Sequence, residues 1–237
     1  PMDPTVWVRK RIEAFEEWED FDWETYITTG PGDAAVYSSI LCREHPEEPK
    51  RLYACGGDGT LNEVITGAMG HPNVAVTHFP VGSGNDFIKA FGARSDFSDI
   101  DRLVEGVAVP IDVMRITCGR GDDAPVRYCF NVAGMGFDAA VGENMQKIKR
   151  FPLIGGKRAY NSAIIYSFFF NRRSHYKVTV DGQVFCNEPV LFCTLCNGNY
   201  EGGGIKVAPF AKVDDGVLDI YRIKPISTFN FARLIGP

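Results

Sequence analysis

Two glycine-rich segments, Gly56-Gly57-Asp58-Gly59-Thr60 and Gly82-Ser83-Gly84-Asn85-Asp86, constrain this chain more than anything else in it. Each sits where an apolar run gives way to helical spacing. Leu52-Tyr53-Ala54-Cys55 leads into the first and Val74–Phe79 into the second, the pattern of short strands buried in a parallel sheet. After the first, Leu61, Val64, Ile65 and Ala68 mark one helix face, and the pattern stops at Gly70, ahead of Pro72. After the second, Asp86–Phe91 starts another helix. Upstream, Trp7, Val8, Ile12, Phe15 and Trp18 fall at helical spacing. Trp23–Thr29 reads as a strand, Gly30-Pro31-Gly32-Asp33 as a turn, and Ala34 to about Leu41 as a helix. This alternation predicts parallel strands joined by crossover helices that cover the sheet.

Both loops then open at the carboxyl ends of their strands, the edge of an α/β sheet where ligands bind. Glycines without Cβ atoms let backbone N–H groups face a phosphate, and the helix that follows adds its positive end. A carboxylate at Asp58 repels phosphate unless a divalent cation lies between them, and Mg²⁺ takes one or two carboxylates plus phosphate oxygens. Asp86 offers a second carboxylate for the same ion. No Lys-Ser/Thr follows the first loop, so it is not a Walker A loop. Taken singly, the first loop would pass as a plain βα turn and Asn85-Asp86 as a helix cap. Two such loops on one edge, each carrying an Asp, are poorly explained that way.

Past about Val109 the rhythm becomes that of antiparallel strands. Ile111–Cys118 and Val126–Ala133 flank a polar turn, Gly119–Pro125. Tyr176–Val180 and Gln183–Cys186 flank Asp181-Gly182, a hairpin signal, and Val190–Asn197 and Val217–Ile223 follow. One helical stretch interrupts them, Phe137–Phe170, broken near Pro152 and Gly155-Gly156. The expected fold is an α/β domain with a parallel sheet over residues 1–108 and an all-β, sandwich-like domain over 109–237.

Composition excludes several classes. A net charge of -5 argues against a general nucleic-acid binder. The longest apolar run, residues 163–170, includes Ser167 and falls far short of the about 20 residues of a membrane span. Pro1-Met2-Asp3-Pro4 shows no basic region followed by an apolar one, so no signal peptide is expected. Seven scattered cysteines fit reduced thiols in a cytoplasmic protein. Cys193 and Cys196 are three apart on an expected strand and point to opposite faces. His45, His71, His78 and His175 form no ligand spacing.

GGDGTLNEV followed by PVGSGNDF resembles the diacylglycerol kinase catalytic family, which includes sphingosine, ceramide and bacterial lipid kinases. The resemblance continues through Asn131-Val132-Ala133-Gly134-Met135-Gly136-Phe137-Asp138-Ala139 and Asn197-Gly198-Asn199-Tyr200-Glu201-Gly202-Gly203-Gly204. It ends in Ala208-Pro209 and Asp214-Asp215-Gly216-Val217-Leu218-Asp219, having covered nearly the whole chain in order. It implies an NAD-kinase/diacylglycerol-kinase-like fold in which residues 1–108 bind ATP and 109–237 take the lipid. ATP would lie on Gly56, Gly57, Asp58, Gly59, Thr60, Leu61 and Asn62, and on Gly82, Ser83, Gly84 and Asn85, with Thr28 near the nucleotide. Asp58 and Asp86 would hold the catalytic Mg²⁺. Asp215, with the carbonyls of Lys212 and Val217, would hold a structural Mg²⁺; read from its residues alone, Asp-Asp-Gly is a turn.

The reaction implied is transfer of the γ-phosphate of ATP to the hydroxyl of diacylglycerol or a related lipid alcohol. The family's base belongs to an Asp-Gly-Glu motif near the carboxyl end, expected beyond Pro237; Asp181-Gly182-Gln183 reads as a turn. Phe151 and Phe168-Phe169-Phe170 are candidates for an apolar acyl cleft between the domains or for core. Lys147, Lys149, Arg150, Lys157, Arg158, Arg172 and Arg173 could rest transiently on an anionic membrane surface or line a solvated face. A homodimer is an open option. The other readings are a sugar kinase or NAD-kinase-like small-molecule kinase of the same superfamily, or a nucleotide-binding regulator without catalysis.

Overall fold

The computed structural model describes residues 23–148, 162–164, 166–168, 170, 173–227, 229 and 230. The helical pattern around Trp7–Trp18, the break near Pro152, and residues Lys149, Arg150, Phe151, Lys157, Arg158, Phe169 and Arg172 lie outside them. In chain order the elements are α1 (Asp33–Arg43), β1 (Lys50–Gly56), α2 (Asp58–Ala68) and β2 (Val74–Pro80). Two 3₁₀ turns, Phe87–Ala90 and Arg94–Phe97, precede α3 (Ile100–Glu105), β3 (Met114–Thr117), β4 (Val126–Cys129) and β5 (Val132–Gly136). Then come α4 (Phe137–Ile148), β6 (Ser174–Val180), β7 (Gln183–Val190) and β8 (Phe192–Cys196). Short strands β9 (Tyr200–Glu201) and β10 (Ile205–Lys206) and a final β11 (Asp219–Ile223) complete them.

The chain forms two compact units, one of residues 1–131 and 197–217, the other of 132–196 and 218–237. In the first, β1 and β2 pair in parallel from Lys50↔Val74 to Gly56↔Pro80, as the two apolar runs predict. Side chains alternate across a strand, and both faces of this sheet are covered. Leu52, Ala54 and Val76 join Ala34, Leu61, Val64, Ile65, Phe87 and Phe130 in one core, while Tyr53 and Phe79 pack with Ile100 and Leu103 in another. Gly67 lets α1 lie close on α2, since a Cβ there would stand 2.7 Å from Ser38 Cβ. Antiparallel β3–β4 and the β9–β10 ribbon belong to this unit as well.

In the second unit a three-stranded antiparallel sheet runs β11-β8-β5, and β6 and β7 form a hairpin. Asp181 and Gly182 both take positive φ, 49° and 81°, the turn that the Asp-Gly signal predicts. Cys186, Val190 and Cys193 are its buried centre. Cys193 and Cys196 are both fully buried, and the seven cysteines are free thiols.

Several sequence expectations need correction. Trp23–Thr29 is exposed throughout and joins no ladder among the described residues. It is tied instead to the start of α1, where Asp33 accepts from Thr29 N at 2.6 Å, Thr29 Oγ1 at 2.8 Å and Tyr26 Oη at 3.0 Å. Asp86–Phe91 yields only the 3₁₀ turn Phe87–Ala90. The run Val126–Ala133 is two strands, β4 and β5, because Phe130 turns into the core and the Asn131 carbonyl is taken by Asn197 N and Gly198 N. Phe168 is core, edge-on to Phe137, whereas Phe170 is exposed.

Candidate functional site

Parallel pairing brings the two glycine loops side by side at the carboxyl ends of β1 and β2. Their backbones touch: a Cβ on Gly82 would lie 2.5 Å from Gly57 Cα and 2.9 Å from Asn85 Oδ1. The Gly56 carbonyl locks them together, accepting from Val81 N at 3.0 Å, Gly82 N at 3.1 Å and His78 Nε2 at 3.0 Å. His78 is buried, and that burial holds its imidazole below its ordinary value, the Gly56 carbonyl pulling weakly the other way. Asn85 adopts φ 51° and donates to the Gly82 carbonyl at 2.6 Å, bending the second loop back on itself. Asn tolerates this left-handed conformation better than most side chains.

Asp58 opens α2, and its cap, Gly57, has no side chain to satisfy the first-turn donors. The first intrahelical bond runs from Leu61 N to Gly57 O at 3.1 Å, so the N–H groups of Asp58, Gly59 and Thr60 are those a helix start presents to a ligand. Asp58 Oδ1 accepts from Asp86 N at 2.8 Å. Its Oδ2 faces Gly84, where a Cβ would stand 2.9 Å from it and 3.5 Å from Asp86 Oδ2. The two carboxylates therefore border one small space, kept clear by a glycine. Asp86, 6% exposed, accepts from Gly203 N at 2.8 Å and pairs with the Lys89 ammonium. Two carboxylate oxygens beside helix-start N–H donors suit a hard cation that also takes phosphate oxygens.

The other expected site residues distribute as follows. Gly56, Gly57, Gly59 and Thr60 form the first loop and helix start, with Thr60 folded across Gly56: a Cβ there would come 2.9 Å from Thr60 Cγ2. Ser83 is exposed at the tip of the second loop and Asn62 is half-buried on α2. The Leu61 side chain, 2% exposed, is core, leaving only its backbone near the loop. Thr28 lies in the exposed segment ahead of α1. In the 212–217 turn Asp215 is exposed and its Oδ1 accepts from Val217 N at 3.0 Å. A second carboxylate that the sequence did not single out, Asp112, accepts from Gly216 N at 2.7 Å, and Asp112 N donates to the Val213 carbonyl at 2.7 Å. Among the described residues no three His, Cys, Asp or Glu side chains gather as a metal cluster. Sequence spacing also missed His78, Lys89 and Gly203; the one signal for the last was the Gly202-Gly203-Gly204 run.

Residues 6–116 match the family model of the diacylglycerol kinase catalytic domain, and residues 131–236 match that of the YegS C-terminal NAD kinase beta sandwich-like domain. A diacylglycerol kinase of Bacillus subtilis is 30% identical over 230 residues, 94% of this chain and 70% of that protein. The chain belongs to the diacylglycerol kinase catalytic family. A probable lipid kinase YegS-like of Shewanella frigidimarina is 29% identical over 225 residues, 92% of this chain and 64% of the relative. Among solved structures, a diacylglycerol kinase from Bacillus anthracis superposes with a TM-score of 0.57 at 29% identity, covering 88% of this chain and 64% of that one. The chain thus spans roughly two thirds of the length of these relatives. The family's α/β domain and β sandwich-like domain agree with the fold expected from sequence.

Proposed function

We propose that the chain carries the nucleotide site of an ATP- and Mg²⁺-dependent lipid kinase acting on the hydroxyl of diacylglycerol or a related lipid alcohol. The observation behind this reading is the pair Asp58 and Asp86, bordering one cleared space beside the start of α2. The N–H groups of Asp58, Gly59 and Thr60 would bind phosphate oxygens, and Ser83 would contact them from the second loop. Asp58 and Asp86 would hold the catalytic Mg²⁺, which when bound supplies charge neutralisation between the phosphates. Orientation comes from the protein: Asp58 Oδ1 fixes the Asp86 backbone, and the Gly56 carbonyl fixes both loops. The reading extends to a structural Mg²⁺ at Asp215 with the Lys212 and Val217 carbonyls, and to transient contact of a cytoplasmic protein with a membrane surface. No helix among the described residues is long and apolar enough to cross a membrane. The proton acceptor is not assigned to a residue of 1–237.

The test is transfer of labelled γ-phosphate from ATP to diacylglycerol in mixed micelles. Asp58→Asn is the informative variant, because it keeps an oxygen for Asp86 N while removing the charge; alanine would also cut that hydrogen bond. Transfer should fall by about 10³-fold or more with an unchanged melting temperature. Wild-type turnover in Asp58→Asn, or transfer to NAD and not to lipid, would refute the proposal.

A further inference from the structure

The site has a third wall that neither loop supplies. Between β9 and β10 the Gly202-Gly203-Gly204 turn takes φ of 61°, 86° and 122°, a backbone conformation that favours glycine. Gly203 N donates to Asp86 Oδ2, which seats the turn against the second loop. Lys89, one turn after Asp86, lies alongside: a Cβ on Gly204 would stand 3.4 Å from its Nζ. Its ammonium is 5.8 Å from the Tyr200 ring centroid, and Lys206 approaches the same ring at 5.7 Å. Two ammonium groups thus approach one phenol ring, and one of them, Lys89, pairs with Asp86.

A plain ion pair explains part of this, since a carboxylate as buried as Asp86 requires a partner. It does not explain why the Lys89 side chain is left 32% exposed when the Asp86 side chain is 7% exposed. Nor does it account for Lys206, a second ammonium drawn to the same ring. An ammonium has three N–H donors, and Asp86 Oδ1 uses one. At Gly204 the turn presents no side chain to that ammonium, where a Cβ would stand 3.4 Å from it.

We propose that Lys89, backed by Lys206 and the Gly202–Gly204 turn, is the positioning residue for a terminal phosphate in this site. The ligand class is a phosphate dianion, carried either by the γ-position of ATP or by the phosphomonoester of the lipid product. Lys89 would hold it by a charge-assisted hydrogen bond while staying anchored on Asp86. This rests on the kinase reading above, and the test separates the two. ATP and ADP affinities are measured by calorimetry with Mg²⁺ for wild type, Lys89→Met, Lys89→Arg and Lys206→Met. If Lys89 grips the γ-phosphate, Lys89→Met lowers the ATP-over-ADP preference about tenfold. ADP affinity itself holds, Lys89→Arg restores most of the preference, and Lys206→Met, on an exposed strand, lowers it less. If the ligand is the lipid product, that preference holds while inhibition by short-chain phosphatidic acid weakens about tenfold in Lys89→Met and less in Lys206→Met. Unchanged ATP preference together with unchanged product inhibition in both Met variants would overturn the proposal, leaving Lys89 as Asp86's counter-ion. A wild type that binds ATP yet transfers nothing to lipid would overturn the kinase reading alone, because the nucleotide comparison needs no turnover.

Discussion

At Gly59 a methyl group would meet nothing within 4 Å, although the residue sits in the first turn of α2 between two crowded glycine neighbourhoods. Glycine in a helix costs stability relative to alanine, and nothing in the ligand-free protein requires it there. The open space above it is where a phosphate would approach the helix start. Gly59→Ala should therefore raise stability by about 0.4–1 kcal/mol, or roughly 1–4 °C in melting temperature for a protein of this size. ATP affinity should drop by about tenfold or more, because the added methyl obstructs the N–H groups. A stabilised variant with undiminished ATP affinity would show that phosphates do not come to this turn. Gly82→Ala differs in kind: its Cβ would drive into Gly57 Cα, so the loops themselves must part.

Elements, not single residues, explain how much of the site was legible beforehand. β1, β2 and the loops after them announce themselves because glycine and aspartate stand at strand–helix junctions, and local chemistry suffices to read them. The side chains that fix the loops come from elsewhere in the fold. His78 reaches back 22 residues to the Gly56 carbonyl, and Gly203 reaches Asp86 across 117. No local pattern encodes such meetings. Trp23–Thr29 misled for the opposite reason: its β-prone composition suggests a strand, yet it joins no ladder among the described residues, and its backbone turns to Asp33. The β2–β1 link through His78 also carries a pH signature. Desolvation lowers the folded-state value of His78 beneath its ordinary 6.5, so the unfolded chain protonates first on acidification. Stability from this group is full above about pH 6.5 and is lost as pH falls through the depressed folded value. Melting temperature followed from about pH 8 to about pH 5 should therefore fall more steeply in wild type than in His78→Gln, which cannot protonate. Parallel curves would mean that burial does not disfavour protonation of His78 in the folded protein.

The molecule as a whole builds this site from chain segments far apart in sequence but within one compact unit, residues 1–131 and 197–217. The β6–β7 hairpin belongs to the other unit and contributes no residue to the carboxylate pair or the glycine loops. A ligand held there should register on three separate stretches together, and hydrogen exchange can read all three. With ATP and Mg²⁺ at about a hundred times their dissociation constant, bound protein gains about 2.7 kcal/mol against unfolding. Exchange should slow in peptides spanning 56–62, 81–90 and 199–206, with 174–190 unaffected. Asp58→Asn should lose the effect on all three together, since the cation that joins phosphate to the loops depends on that carboxylate. Slowing at 56–62 and 81–90 without any at 199–206 would detach the glycine turn from the site, because Gly203 N on Asp86 is what couples that stretch to the other two.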